Sequence, residues 1–91
     1  MKYFYIISGN LQEAIDWVNI KIQTQEFTSP PLYVSDPAQI VDENPNGIFI
    51  GTWKHNPHMA KILATLHLLC TDPGKNFMIQ RAMYHFTGTK P

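Results

Sequence analysis

Cysteine is nearly absent from this sequence, since Cys70 is the only one among 91 residues. One thiol cannot form an internal disulfide, whereas small secreted domains usually depend on several. Long apolar runs are absent too, because no stretch approaches the ~20 apolar residues that a membrane span needs. The first apolar run ends at Ser8-Gly9-Asn10, too early for a signal peptide. We therefore expect a cytoplasmic protein without a membrane partner.

Charge is also scarce, because only 15% of the residues are charged and seven Lys and Arg balance seven Asp and Glu. The basic residues are scattered, so no cluster could follow a phosphate backbone, and we expect no nucleic-acid partner. Hydrophobic residues make up 44% of the chain, which is typical of a folded domain. So much apolar surface under so little charge predicts a homodimer or a larger homo-oligomer.

What the sequence does contain is an alternation of apolar runs and helical patterns. Three apolar runs predict strands near residues 2–8, 32–35 and 47–51. Amphipathic patterns predict helices near 10–23 and 57–70. The first helix starts at a capping-box-like pair, Asn10 and Glu13. Its spacing places Glu13 and Asp16 on the solvent face and predicts a buried face made of Leu11, Ala14, Ile15, Val18 and Ile22.

Strands that alternate with helices predict a parallel sheet. We expect a single α/β domain over residues 1–91, with a core at 2–70. Its architecture would be a small Rossmann-like three-layer sandwich with a three-stranded parallel sheet in the order 2-1-3. Residues 76–86 fit a helix or an added strand, and the spacing favours the helix; residues 87–91 would form a tail.

Three loops would meet at the carboxyl edge of this sheet, where such folds bind ligands. Gly9 would let the backbone approach a ligand closely, Lys54 supplies a cation, and Trp53 offers a flat face on which a base could stack. This arrangement favours a nucleotide-like or other small anionic ligand. The candidate ligand-binding residues are Ser8, Gly9, Asn10, Ser35, Gly51, Thr52, Trp53, Lys54 and His55.

The same loops also have a purely structural interpretation. A Ser-Gly-Asn sequence commonly turns a strand into a capped helix, and the chain has no glycine-rich phosphate motif. Trp53 could simply cover the end of the sheet. The two interpretations predict different results for Trp53→Ala. If Trp53 stacks on a ligand, the variant should lose ligand binding and keep its fold; if Trp53 belongs to the core, the variant should lose stability.

No group of residues in the sequence indicates catalysis. Cys70 lies among leucines and is typical of a core residue. His55 and His58 lack a third ligand at metal-binding spacing, so we expect no metal and no cofactor. Binding without turnover is therefore the first hypothesis. The alternatives are an interaction module that binds and inhibits another protein through the Met- and aromatic-rich surface near the C-terminus, and a small transferase or hydrolase.

A Tyr-Val-Ser-x-Pro-x-x-aliphatic segment at residues 33–40 precedes a Phe-Ile-Gly-Thr-Trp strand end at residues 49–53. Through these patterns, residues 3–65 resemble small phage-encoded Rossmann-like proteins, in which the same two segments follow each other. The resemblance implies a Rossmann-like fold and a phage setting in the host cytoplasm. Such proteins are similar to nucleotide-handling domains of bacterial defence. The resemblance thus implies a counter-defence role, through sequestering a nucleotide signal or occupying a host protein.

Overall fold

The computed structural model describes residues 2–24 and 27–79 and shows an α/β fold with one parallel sheet of four strands. The main elements are β1 Phe4–Ile7, α1 Leu11–Thr24, β2 Pro31–Tyr33, β3 Asn46–Phe49, α2 Met59–Leu69, α3 Pro73–Asn76 and β4 Phe77–Ile79. Short 3-10 turns cover Pro37–Gln39 and Trp53–His55. Within these described residues, no helix combines the length and the apolar character that crossing a membrane requires.

The strand order is β2-β1-β3-β4, with every neighbouring pair parallel. The predicted order 2-1-3 is therefore confirmed for the first three strands. In the register, Phe4 of β1 lies beside Pro31 of β2 and Asn46 of β3. Because β1 is central and short, its apolar residues are covered from both sides of the sheet.

The prediction of a three-stranded sheet is wrong, because β4 adds a fourth strand beside β3. The helix favoured for residues 76–86 is likewise wrong for residues 77–79, which form this strand. Phe77 is buried and its ring lies 5.7 Å from that of Phe49, centroid to centroid. This contact fixes the segment against β3 although Met78 and Ile79 are exposed. Residues 80–86 and the predicted tail at 87–91 lie outside the described residues.

Each face of the sheet has its own apolar core. Tyr5, Ile7 and Phe49 point to the face covered by α2, through Ile62 and Leu66. The alternate residues Ile6, Ile48 and Ile50 point to the face covered by α1, through Ala14 and Trp17. The sheet is thus the middle of three layers, and strands that are covered on both faces explain why their sequences are continuously apolar.

Helix α1 is rotated relative to the prediction. Ala14 and Trp17 are buried, whereas Leu11, Ile15 and Ile22 are exposed. The indole of Trp17 stacks on Phe4 with the ring centroids 6.3 Å apart. A large ring buries more apolar surface than an aliphatic side chain, so Trp17 rather than the aliphatic row determines which face of the helix meets the sheet.

Candidate functional site

Two of the three predicted loops emerge side by side. β1 and β3 are neighbouring parallel strands, so the loops that follow Ile7 and Phe49 leave the same carboxyl edge of the sheet. The pairing continues beyond the strands, because the Ile50 N–H donates to the Ile7 carbonyl at 2.9 Å. Gly9 and Thr52 are therefore brought together although they are far apart in sequence.

The carboxylate of Glu13 lies between these two loops. Its Oε1 accepts hydrogen bonds from the Gly9 N–H at 2.9 Å, the Thr52 N–H at 3.1 Å and the Thr52 hydroxyl at 3.0 Å. Its Oε2 accepts from the same two Thr52 donors at 3.2 and 2.9 Å. Three donors thus converge on one anionic group. We call Gly9, Glu13, Gly51 and Thr52 the carboxylate site.

Local capping at the start of α1 places Glu13 in this position. The Asn10 Oδ1 accepts from the Glu13 N–H at 3.0 Å, which is the first half of a capping box. The Glu13 side chain then reaches back to Gly9 rather than to Asn10 and continues across to Thr52. A carboxylate at a helix N-terminus is also favoured by the helix dipole. Glu13 is half-buried, so its predicted place on the solvent face is wrong.

Two glycines make the site compact enough for these hydrogen bonds. A Cβ at position 9 would collide with the Thr52 hydroxyl and lie 2.7 Å from the Thr52 carbonyl oxygen. Gly51 has φ +52°, in the left-handed region that favours glycine, and a Cβ there would lie 2.8 Å from the Glu13 carboxylate. The two glycines therefore allow the loops and the carboxylate to come within hydrogen-bonding distance.

A second, buried link joins the loops beneath the carboxylate site. Asn56 is 5% exposed, and its Nδ2 donates to the Ser8 carbonyl at 2.8 Å. Its Oδ1 accepts from the His58 N–H at 2.8 Å, which turns the chain into α2. The Ser8 hydroxyl is buried and donates to the Asn10 carbonyl at 2.6 Å. Ser8 and Asn56 thus hold the loops in place from the inside, and Ser8 does not present its hydroxyl to solvent.

Trp53 packs onto the sheet beside the carboxylate site. Its ring lies 4.8 Å from that of Phe49, centroid to centroid, and contacts the α2-side core. The Lys54 Nζ is 5.6 Å from the Trp53 ring centroid, within range of a cation–π interaction. Lys54 and His55 are exposed in the 3-10 turn. Lys54 and His55 therefore lie within three residues of Thr52 in the chain and are accessible to a ligand.

Ser35 belongs to a different local structure. Its N–H and hydroxyl both donate to Oε1 of Gln39, at 2.7 and 3.2 Å. Asp36 caps the same 3-10 turn by accepting from the Ala38 N–H at 2.9 Å. Within the described residues, no hydrogen bond connects Ser35 with the carboxylate site.

Glu13 and Asn56 are the two residues of this region that the sequence-based candidates omit. The capping-box spacing from Asn10 to Glu13 indicated that Glu13 would turn back towards the loop, but not that it would reach Thr52. Asn56 stands directly before Pro57 at the start of the helix predicted near 57–70, and this position indicates helix capping alone. Because both contacts join segments tens of residues apart, local spacing could not predict them.

Two surface grooves lie away from the carboxylate site. A groove of about 250 Å³ between α1 and β2 is mostly apolar, and a groove of about 410 Å³ involves Asp36, His58 and Lys61. Neither is lined by Gly9 or Thr52. Over residues 2–24 and 27–79, no group of three or more His, Cys, Asp or Glu side chains is arranged to hold a metal ion.

The chemistry available at the carboxylate site is the binding of an oxyanion. Two backbone N–H groups and a hydroxyl donate at this site, and the Glu13 carboxylate accepts from all three. Comparison of the chain with protein-family models, curated proteins and solved structures gives no match.

Proposed function

We propose that the protein binds a small anionic ligand of the nucleotide class at the carboxyl edge of the sheet, without catalysing a reaction. The anionic group of the ligand would replace the Glu13 carboxylate between the loops. The observation that carries the proposal is the convergence of the Gly9 N–H, the Thr52 N–H and the Thr52 hydroxyl on one carboxylate. Donors that bind a carboxylate are suited to a phosphate oxygen by the same chemistry.

The surroundings of the carboxylate site support the same kind of ligand. Lys54 and His55 follow Thr52 within three residues and are exposed, and the Lys54 ammonium group would attract an anion. Glu13 is half-buried at the first turn of α1, so its side chain could rotate towards solvent without unfolding the helix. The ligand would then compete with an internal anion, and this competition would lower its affinity.

Removing the charge of Glu13 tests the proposal. Glu13→Gln should bind inorganic phosphate or a nucleotide about tenfold more tightly than the wild type, which corresponds to ~1.4 kcal/mol. The reason is that the neutral amide competes less well for the three donors and does not repel the ligand. Isothermal titration calorimetry against phosphate, nucleotides and cyclic nucleotides would measure the change.

The matched control is Asp16→Asn. Asp16 is an exposed acid one turn further along α1 and accepts from Gln12. The Asp16→Asn variant should leave the affinity for phosphate and nucleotides nearly unchanged. Equal affinities for Glu13→Gln and the wild type, or equal gains in both variants, would contradict the proposal, because the effect would then be absent or only a matter of net charge.

The resemblance to phage-encoded Rossmann-like proteins supports a setting for this activity. A protein that binds a nucleotide signal and does not turn it over removes that signal from solution in proportion to its own concentration. Sequestration of a host defence signal is therefore the role that we propose.

Inhibition of a host protein is the second candidate function. It is favoured by exposed apolar side chains on β4, where Met78 and Ile79 are 65% and 46% exposed. Such residues are typical of contact surfaces when they are contiguous. If neither the wild type nor Glu13→Gln binds any member of the nucleotide panel, this candidate becomes the leading one.

A further inference from the structure

Helix α1 carries a row of apolar side chains that the fold leaves exposed. Leu11, Ile15 and Ile22 are 53%, 41% and 63% exposed, and Val18 between them is half-buried. We call these four residues the α1 stripe. Contiguous exposed apolar residues usually mark a contact surface.

The spacing within the α1 stripe is that of a coiled-coil seam. Successive members are separated by four, three and four residues, as in the a and d positions of a heptad repeat. The face that packs on the sheet is centred on Ala14 and Trp17, and Val18 at its margin packs against the same core. Helix α1 therefore has two adjoining apolar faces that meet at Val18, and the second has the spacing that packs against another helix.

A groove runs beside the stripe. It holds about 250 Å³ between α1 and β2, with Ile15 and Val18 on one wall and Pro31 and Tyr33 on the other. Strand β2 has three residues and begins with Pro31, which has no N–H. An edge this short gives little opportunity for strand addition. Side chains from a facing helix are better suited to the groove than an added strand is.

The α1 stripe is complementary to itself in the antiparallel direction. Leu11 and Ile22 are equidistant from the midpoint between residues 16 and 17, and so are Ile15 and Val18. A two-fold axis at that midpoint would place Leu11 against Ile22 of a second copy, and Ile15 against Val18. Contacts of this isologous kind are the commonest in soluble homo-oligomers.

Charge does not oppose this pairing. Lys21 is the charged residue that borders the stripe, and its Nζ lies over the Trp17 ring at 5.8 Å from the centroid. Under the same two-fold axis the two Lys21 side chains lie nine residues apart along the helices, about 13 Å at 1.5 Å per residue, so they do not face each other. The chain has a net charge of zero, so two copies approach without long-range repulsion.

We propose that the α1 stripe is a homodimer interface, in which α1 of a second copy packs antiparallel along it and into the groove beside β2. Four side chains per copy make a small contact. Small interfaces of this kind are weak, and we expect a dimer that forms on the order of micromolar concentrations.

Analytical ultracentrifugation tests the interface. The wild type should change from one chain to two as its concentration rises through the micromolar range, and Ile15→Lys should weaken the dimer by at least about tenfold. The matched control is Ile20→Lys: Ile20 is 56% exposed on the same helix but outside the stripe, and this change should leave the dimer intact. A wild type that stays monomeric at several hundred micromolar, or a dimer insensitive to Ile15→Lys, would overturn the proposal.

Disulfide trapping tests the direction of the helices. The double variant Leu11→Cys and Ile22→Cys should form a covalent dimer on mild oxidation. Ile20→Cys should not, nor should the wild type, whose Cys70 is buried. A covalent dimer formed by Leu11→Cys alone would indicate parallel helices and overturn the antiparallel arrangement, because antiparallel helices would hold the two substituted positions about 16 Å apart along the axis.

Discussion

One carboxylate, that of Glu13, joins the first turn of α1 to Thr52, which is 39 residues further along the chain. Its hydrogen bonds are charge-assisted, and bonds of this kind contribute more than neutral ones. They form only because Gly9 and Gly51 have no side chains that would separate the loops. Glu13 therefore has a structural role in every state in which the ligand is absent.

The close approach at Gly9 predicts a steric effect at the residue scale. Gly9→Ala should lower the free energy of unfolding by about 1–3 kcal/mol, because its Cβ would overlap Thr52. The control is Gly74→Ala, whose Cβ would meet its nearest neighbour, the Asp72 Oδ1, at 3.5 Å. That change should stay within about 0.5 kcal/mol. Urea denaturation measures both, and equal stabilities would show that the loops are not tightly packed.

At the scale of elements, hydrogen bonds from β1 and the residue before it hold the long connection between β2 and β3 in place. The buried Tyr5 hydroxyl donates to the Asp42 Oδ2 at 3.0 Å and accepts from the Val41 N–H at 3.2 Å. The Tyr3 N–H donates to the same carboxylate oxygen at 2.8 Å. Burial is the main cause of a raised pKa of Tyr5, and the nearby Asp42 carboxylate raises it further, while the backbone N–H groups act in the opposite direction.

The raised pKa of Tyr5 predicts a loss of stability at alkaline pH. Above about pH 10 the unfolded tyrosine releases its proton while the folded one keeps it, so stability falls as pH rises towards the folded pKa. Tyr5→Phe should cost about 1–3 kcal/mol at pH 7, because Val41 and Asp42 lose a buried partner. Its stability should then fall less steeply than that of the wild type between pH 9 and 11.

The control for Tyr5→Phe is Tyr33→Phe, since the Tyr33 hydroxyl makes no hydrogen bond within the described residues. Urea denaturation at several pH values measures both variants. Identical alkaline slopes for Tyr5→Phe and the wild type would refute the assignment of this pH dependence to Tyr5.

The elements that the sequence predicts well are those with strong local signals. The three apolar runs correspond to β1, β2 and β3, and the helical patterns near 10–23 and 57–70 correspond to α1 and α2. Strand β4 has three residues, of which only Phe77 is buried, and its short apolar run also fits the helical spacing that favoured a helix over 76–86. It exists because Phe77 packs against Phe49 while its backbone pairs with β3. Such a strand depends on tertiary contacts that local patterns do not contain.

Which face of α1 packs against the sheet was not predictable, for a related reason. Its aliphatic spacing indicated one buried face, but the row of Leu11, Ile15 and Ile22 stays exposed, while Ala14 and Trp17 meet the sheet. Helical periodicity identifies an apolar face without identifying its partner. When a helix has two such faces, the choice depends on the shape of the sheet surface.

At the scale of the whole molecule, the candidate site was partly predictable. The sheet order placed the loops after β1 and β3 side by side, and Gly9 and Thr52 do meet there. The sequence could not indicate that Glu13 lies between them. It also could not indicate that Ser35 bonds to Gln39. For Trp53 it left two interpretations open, and the ring does pack on Phe49 of the sheet. These contacts depend on side-chain positions in three dimensions.

An NMR titration tests the central claim, that the carboxylate site receives an external anion, most directly. Phosphate, nucleotides and cyclic nucleotides would be added in turn to ¹⁵N-labelled wild-type protein while the backbone amide signals are followed. We expect saturable shifts for the amides of Gly9 and Thr52, because these donors exchange the Glu13 carboxylate for the ligand. Unchanged Gly9 and Thr52 signals at millimolar concentrations of every compound would contradict the claim, and the carboxylate site would then be a structural contact alone.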